Sequence, residues 1–306
     1  MDFQLMKAIA KGILTYVPII NNKVIQRKRN KLNHSGSNAI YCYTLWMKIL
    51  NFLLINNRSV DIKCIAEIGT GGSLGLGICA LLTGAEQYTA LDIEEDLDVV
   101  KNLQLLNEIV DLFKSSKRVP SHVLYDQLNV KIDGFEYYNQ VYDQSILDNF
   151  QSSERIEEIR KCILLKKSNL IQINNNWMED YQLINRFDFV FSRAVMEHVN
   201  KPDEVYHNLN MALKINGLMF HDIEFHSHGI TKDWNTHKNI NENIWRIIKG
   251  KRPYFLNRYE YIDHYNMIQN NNFKIVDEII IKKQNSHKLQ DIYGVAILSC
   301  KNSKLN

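Results

Sequence analysis

The chain has 306 residues, 45% hydrophobic and 23% charged, which is ordinary for a globular protein and long enough to bury a sizeable core. With 37 basic against 34 acidic residues the formal charge is only +3, which argues against a dedicated nucleic-acid binder. Its five cysteines (Cys42, Cys64, Cys79, Cys162 and Cys300) are scattered without a C-x-x-C pair, so a disulfide framework or zinc ribbon is not expected and the compartment reads as reducing and cytoplasmic.

Residues 1–60 read as helical with a basic interruption between Lys23 and Lys31, and Ser37 reads as the cap of a helix over residues 38–55. The apolar stretch at 13–20 contains Pro18 and is too short to span a bilayer, and the stretch at 46–55 is broken by Lys48 and Asn51. No transmembrane helix or signal peptide is expected.

From residue 62 onward, short apolar runs alternate with helical patterns. Residues 62–68 read as a strand, 74–82 as a short helix stopped by Gly84, 88–92 as a second strand and 96–114 as a helix. The rhythm then lapses through Pro120, Gly134 and a tyrosine-rich stretch with Tyr137, Tyr138 and Tyr142. It returns with a helix at 153–165, strands at 170–173 and 187–191, a helix at 202–213 and a strand at 218–225. Two long strand-like runs, 273–282 and 292–300, have no helix between them and read as an antiparallel hairpin at the sheet edge. The expected fold is α/β: a doubly wound, Rossmann-like sheet, mostly parallel with an antiparallel C-terminal hairpin, plus N-terminal helices and a helical insertion. The expected division is an N-terminal helical cover over 1–60 and a main domain over 61–306, with the insertion at about 101–169 building a substrate wall or lid, or else serving as a packing appendage.

The densest chemical signal is the run Cys64-Ile-Ala-Glu-Ile-Gly-Thr-Gly-Gly-Ser-Leu-Gly75, a strand, then glycines, then a helix start. Such a loop lies where open α/β sheets bind ligands, and Asp92, at the end of the next strand, is placed to accept bonds from ribose hydroxyls. A dinucleotide fold wants glycine at the third position of G-x-G-x-x-G, but Leu74 stands there and the glycine falls at Gly75. Glu67, two residues before Gly69, suits a cofactor carrying sulfonium and ammonium groups better than a pyrophosphate.

Glu67-Ile-Gly-Thr-Gly71 resembles the first motif of class I S-adenosylmethionine-dependent methyltransferases, and Asp92 matches that family's ribose-binding acid. Phe187-Asp-Phe-Val-Phe-Ser192 with Val195-Met-Glu-His-Val199 resembles the fourth strand and E-H-V segment of its small-molecule (type 11) branch. Leu213-Lys-Ile-Asn-Gly-Leu218 resembles the L-K-P-G-G-L turn, with Ile215 and Asn216 replacing Pro and Gly. Asn tolerates left-handed backbone, so the turn can survive. The resemblance implies S-adenosylmethionine as cofactor, with Glu67, Gly69, Thr70, Gly71, Gly75, Asp92, Ile93, Ser192 and Arg193 as its contacts. It leaves the adenine contacts among Asn174, Asn175, Asn176 and Trp177 unassigned.

Methyl transfer to a hydroxyl or protonated amine needs a base, and histidine suits that step near neutral pH. His198 offers one, with a structural role as its alternative. The run His221-Asp-Ile-Glu-Phe-His-Ser-His228 offers more, and a base is expected from Asp222, His226 or His228. Strand alternation puts His221, Ile223 and Phe225 on one side and Asp222, Glu224 and His226 on the other. The spacing matches no zinc signature and no metal is expected, although His226 and His228 with Asp222 or Glu224 would be the donors for one. Tyr41 and Tyr43 are candidate contacts or packing. Lys249, Lys251, Arg252 and Arg258 form a basic run that reads as a solvated turn or an anion site, with Trp234 and Trp245 beside it. The expected activity is methylation of oxygen or nitrogen on a small-molecule, metabolite or saccharide-like acceptor. Rival readings are an NAD(P)-dependent oxidoreductase and a non-catalytic binding protein of the same fold.

Overall fold

The computed structural model describes residues 2–17, 38–59, 61–93, 97–115, 148–165, 168–180, 183–252, 254–286 and 288–303. Tyr137, Tyr138, Tyr142 and Ser37 lie outside them, as do residues 116–147 and 166–167 of the expected insertion.

In chain order the elements are α1 (Phe3–Leu14), α2 (Ala39–Ile55), β1 (Cys64–Ile68), α3 (Gly75–Leu81), β2 (Gln87–Leu91), α4 (Val99–Lys114), α5 (Ser153–Leu165), β3 (Ile171–Asn174), β4 (Phe187–Arg193), α6 (Pro202–Ala212), β5 (Leu213–Glu224), α7 (Glu242–Lys249), α8 (Tyr261–Asn270), β6 (Phe273–Gln284) and β7 (Gln290–Lys301). The strands form one sheet in the order β3-β2-β1-β4-β5-β7-β6. The first five are parallel to one another, while β7 runs antiparallel between β5 and β6. This is the doubly wound sheet with an edge hairpin that the alternation of patterns predicts. Chain order reverses between β1 and β4, which places the ligand crevice of such a sheet at their carboxyl ends.

Helices cover both faces. One core packs α2, α3, α4 and α5 against residues such as Ile65, Tyr88, Phe189, Phe191 and Phe220. The other packs α6 and α8 against Ala66, Val190, Met219, Ile223 and Ile297. Alternate residues of β5 thus enter opposite cores, the period of two that strand geometry imposes.

Several local details differ from the sequence expectation. The cap of α2 is Asn38, whose side chain accepts from the Tyr41 N–H, one residue beyond the expected Ser37. Helix α2 is buried on nearly every face, and the Trp46 indole donates to Thr83 Oγ1 at 2.8 Å. Of the described N-terminal helices, α2 packs on α3 and α4, and α1 packs on α7. A Cβ on Gly12 would lie 2.0 Å from the Ile247 carbonyl oxygen, so only glycine permits that approach. Helices α7 and α8 have no counterpart in the expected pattern, because each buries only two residues and gives too short a stripe to read. Asn216 sits at φ 63°, so the expected left-handed turn is present before the long straight part of β5. Among the described residues no helix is long and apolar enough to cross a membrane.

Candidate functional site

The loop after β1 carries three consecutive left-handed positions apart from Thr70: Gly69 at φ 74°, Gly71 at 60° and Gly72 at 83°. Glycine adopts this backbone without the steric conflict other residues meet. Gly69 has a second constraint, since a Cβ there would lie 2.4 Å from Val195 Cγ2. The loop is then held from outside. Asn102 of α4 accepts from the Leu74 N–H at 2.7 Å and donates to the Gly72 carbonyl at 2.9 Å. Asp92 accepts from the Gly71 N–H at 2.8 Å, from the Thr70 hydroxyl at 3.3 Å and from the Ile93 N–H at 2.7 Å. Beside it Ile93 is 56% exposed. Asn174 donates to Asp180 at 2.6 Å next to this corner, since the Asn174 carbonyl accepts from the Asp92 N–H.

Glu67 lies beneath the loop, buried, and accepts from the Tyr88 hydroxyl at 2.6 Å. Burial pushes its carboxyl up to about 8, against the opposing Tyr88 bond and with help from the Asp92 charge. Gly75 is not at the loop surface. It is buried at the start of α3, where a Cβ would lie 2.4 Å from Cys42 Sγ and 2.9 Å from Leu105 Cδ2. Its glycine lets α3 approach α2 and α4.

At the end of β4, Ser192 is fully buried. Its Oγ is in hydrogen-bond contact with His221 Nδ1 at 2.7 Å, inside the sheet rather than at its mouth. His221 in turn packs edge-on to Tyr206, whose hydroxyl meets His264 Nδ1 at 2.9 Å. Burial, and then the charge of His264, hold His221 down at about 3, so it is a neutral core histidine. Arg193 reaches across the opposite face of β5. Its guanidinium lies 3.4 Å from Asp222 and 3.6 Å from Glu224, and 5.5 Å from the centre of the Tyr41 ring. Asp222 is only 2% exposed; burial raises it to about 6, against the pull of Arg193. Its carboxylate is thus packed under Arg193 rather than presented at the open edge. Tyr43 is core, edge-on to Phe113.

Beyond β4, Ala194 stands at φ 52°, a left-handed position that costs a non-glycine residue about 1–2 kcal/mol. It donates to the Asp222 carbonyl at 2.9 Å. The next segment, Val195 onward, forms a one-turn 3₁₀ helix over Met196–His198. Asn257 clamps this turn from the segment before α8: its side chain donates to the Met196 and Val199 carbonyls at 2.8 and 2.9 Å, and its N–H donates to the Glu197 carbonyl. His198 is thereby set edge-on to His228, with ring centres 5.4 Å apart.

The end of β5 completes the site. His226 stacks on His228 at 4.0 Å and on Tyr293 of β7 at 5.0 Å, and Trp234 meets Tyr293 edge-on at 5.2 Å. His226 Nε2 lies 2.7 Å from Glu224 Oε2. Burial works against charge on Glu224, but the His226 bond, Arg193 and the two imidazoles outweigh it and hold the carboxyl below its usual range. Burial and the neighbouring imidazoles of His226 and His198 hold His228 well below the ordinary histidine value, so its ring is uncharged at neutral pH.

Of the four candidate bases, then, the structure gathers His198, His226 and His228 at one edge, next to the glycine loop through the Val195–Gly69 contact. Residues that sequence reasoning missed are Asn102, Tyr88, Asn257 and Tyr293, each acting across a long separation in the chain. The basic run is consumed locally. Arg252 bonds the Lys249 and Ile248 carbonyls over Phe255, Arg258 bonds Ile240 and Glu242 over Trp245, and Lys249 donates to Asn200. Trp245 is buried against Phe255 and walls no part of this edge. A cleft of about 680 Å³ near Asp2, Thr231 and Ile244 contains none of the motif residues.

No family model matches the sequence, and no curated protein matches it. Among solved structures the chain is similar to an S-adenosylmethionine-dependent methyltransferase from Mesorhizobium loti, with a TM-score of 0.41 at 10% identity over 78% of this chain and 91% of that one. It is also similar in fold to an S-adenosylmethionine-dependent methyltransferase from Methanosarcina mazei, with a TM-score of 0.45 at 13% identity over 82% of this chain and 98% of that one.

Proposed function

We propose that the chain is an S-adenosylmethionine-dependent methyltransferase acting on oxygen or nitrogen of a small metabolite or saccharide-like acceptor. The observation that carries this reading is the pairing of the glycine loop with Asp92 at the carboxyl ends of β1 and β2, beside the point where strand order reverses. The Asp92 carboxylate receives the ribose hydroxyls, and Ile93 offers an apolar surface to the base. Gly69, Thr70 and Gly71 let the amino-acid part of the cofactor lie against the backbone. Glu67, buried under the loop and tied to Tyr88, holds the floor of that site.

The acceptor enters from the side of His198, His226 and His228. Attack on the methyl carbon is an in-line displacement, so the protein's task is to align the nucleophile and take its proton. His228, 33% exposed at that edge, is placed to take it. Glu224 and His226 fix its ring, and Asp222 with Arg193 forms the floor.

The test is calorimetric titration with S-adenosylhomocysteine and with oxidised and reduced nicotinamide dinucleotides. Tight nicotinamide binding without S-adenosylhomocysteine binding overturns the reading. An acceptor screen with S-adenosylmethionine, read by mass spectrometry for a gain of about 14 Da as methyl replaces hydrogen, then separates an enzyme from a non-catalytic binding protein.

A further inference from the structure

The histidine edge contains two overlapping groups of donor atoms. Glu197, His198 and His228 each bring a ligand atom within 4.8 Å of the other two, and so do Glu224, His226 and His228. In the second group the carboxylate is already engaged by His226 and Arg193. The first group is different because of Glu197. Its side chain is only 2% exposed, and no other residue donates a hydrogen bond to either carboxylate oxygen. Other buried or half-buried acids of the region are answered: Glu67 by Tyr88, Asp222 by Arg193, Glu224 by His226. A carboxylate withdrawn from water with nothing to compensate it is strongly disfavoured. The surroundings do not supply the missing positive charge, since Glu197 feels Glu224 and Asp222 more strongly than Arg193.

We propose that Glu197, His198 and His228 bind one divalent first-row transition cation. Two imidazoles and one carboxylate form a donor set suited to such ions and leave coordination positions open for other oxygens. The mounting is built for position. Glu197 and His198 are adjacent on the 3₁₀ turn that Asn257 clamps by three hydrogen bonds. His228 comes from the segment after β5 and is itself left-handed, at φ 48°. Glu224 Oε2 lies 3.7 Å from His228 Nε2, and His226 stacks on the same ring, so both orient it from behind. Donor atoms sharing a tetrahedral ion at bond lengths of about 2.1 Å lie roughly 3.4 Å apart, so binding draws these side chains together. Cation binding does not depend on the methyl-transfer reading. If the methyl-transfer reading holds, the bound ion replaces a free His228 as the group that activates the acceptor, by binding and acidifying its oxygen, and it selects acceptors with oxygens able to reach it.

The experiment uses the full chain stripped with a chelator and titrated with cobalt(II), zinc(II) and manganese(II). Binding is followed by calorimetry, by metal content after dialysis and, for cobalt, by visible absorption. The expected result is one equivalent bound, with Glu197→Gln and His228→Asn each weakening affinity by about 10-fold or more. The melting temperature supplies a second readout. Saturating metal should raise the melting temperature of the unsubstituted chain, and Glu197→Gln should lose most of that rise. His228→Asn alters a one-third exposed ring and keeps the test usable should the Glu197 variant fail to fold. Absence of binding to the folded unsubstituted chain, or binding that both variants leave intact, overturns the proposal. S-adenosylhomocysteine affinity measured on the same samples reports separately on the cofactor reading.

Discussion

The loop after β1 and the turn after β4 touch where Val195 packs over Gly69, yet they treat their acids in opposite ways. Asp92 accepts three hydrogen bonds from Thr70, Gly71 and Ile93, so the first region closes on itself. Glu197 accepts none from any other residue, although its backbone is fixed as firmly by Asn257. A short stretch of chain with the right glycines can organise a nucleoside site from its own main chain. An acid held in a prepared but unanswered position instead marks a place that something else must complete.

The contrast can be broken first at Gly69. Gly69→Val places a branched side chain at φ 74° and into Val195, and should lower S-adenosylhomocysteine affinity by about 100-fold or more. Near-normal affinity in a calorimetric titration would mean that the loop is not the cofactor site. Asp92→Asn is the next largest: it removes the charge that receives the ribose, and a loss of about 10- to 100-fold is expected, since hydrogen bonds to charged groups contribute roughly 1.5–3 kcal/mol. Asn257→Ala removes the clamp of the other region and should cost about 1–3 kcal/mol in denaturant unfolding while leaving S-adenosylhomocysteine affinity unchanged. A drop in cofactor affinity alone would show that the two regions are not separable. Gly75→Ala should destabilise by about 1–2 kcal/mol through overpacking against Cys42, again without loss of cofactor affinity. Lost affinity at full stability would place Gly75 in the cofactor site.

The smallest effect concerns acid. Burial holds His264 at about 4 and His221 at about 3, both below the value of roughly 6.5 in an unfolded chain. Between those limits the unfolded state takes up protons that the fold refuses, so stability falls as pH drops from about 6.5 toward 4. Each histidine should contribute about 1 kcal/mol of that loss by pH 5.5. His264→Gln should flatten the slope; an unchanged slope would place the acid sensitivity elsewhere.

What could be read from the sequence follows from the range of the forces involved. The strands, α3 to α6 and the edge hairpin were legible because periodicity is local. The glycine loop was legible because left-handed backbone demands particular residues. The face of each residue on β5 followed from alternation, which separates His221 from Asp222. Whether a face is core or mouth did not follow, so Ser192 was expected at the cofactor although it lies against His221. Gly75 was read as part of the loop because close helix packing and a ligand approach ask for the same residue. Asn102, Asn257 and Tyr293 carry no local signature. Each matters only through a partner that the fold brings from 28 or more residues away, as Asn102 with Leu74.

The position of β7 has a consequence for how the molecule is made. Strand β5 carries Asp222 and Glu224, and its outer neighbour is β7, not the intervening β6. Glu224 pairs with Gly294, so the whole stretch between them must leave the ribosome before that edge of β5 is covered. During synthesis the parallel part of the sheet can assemble while β5 still shows an open, apolar rim, the kind of surface that recruits other chains. Vectorial synthesis therefore leaves the histidine edge for last, when β7 takes its place between β5 and β6.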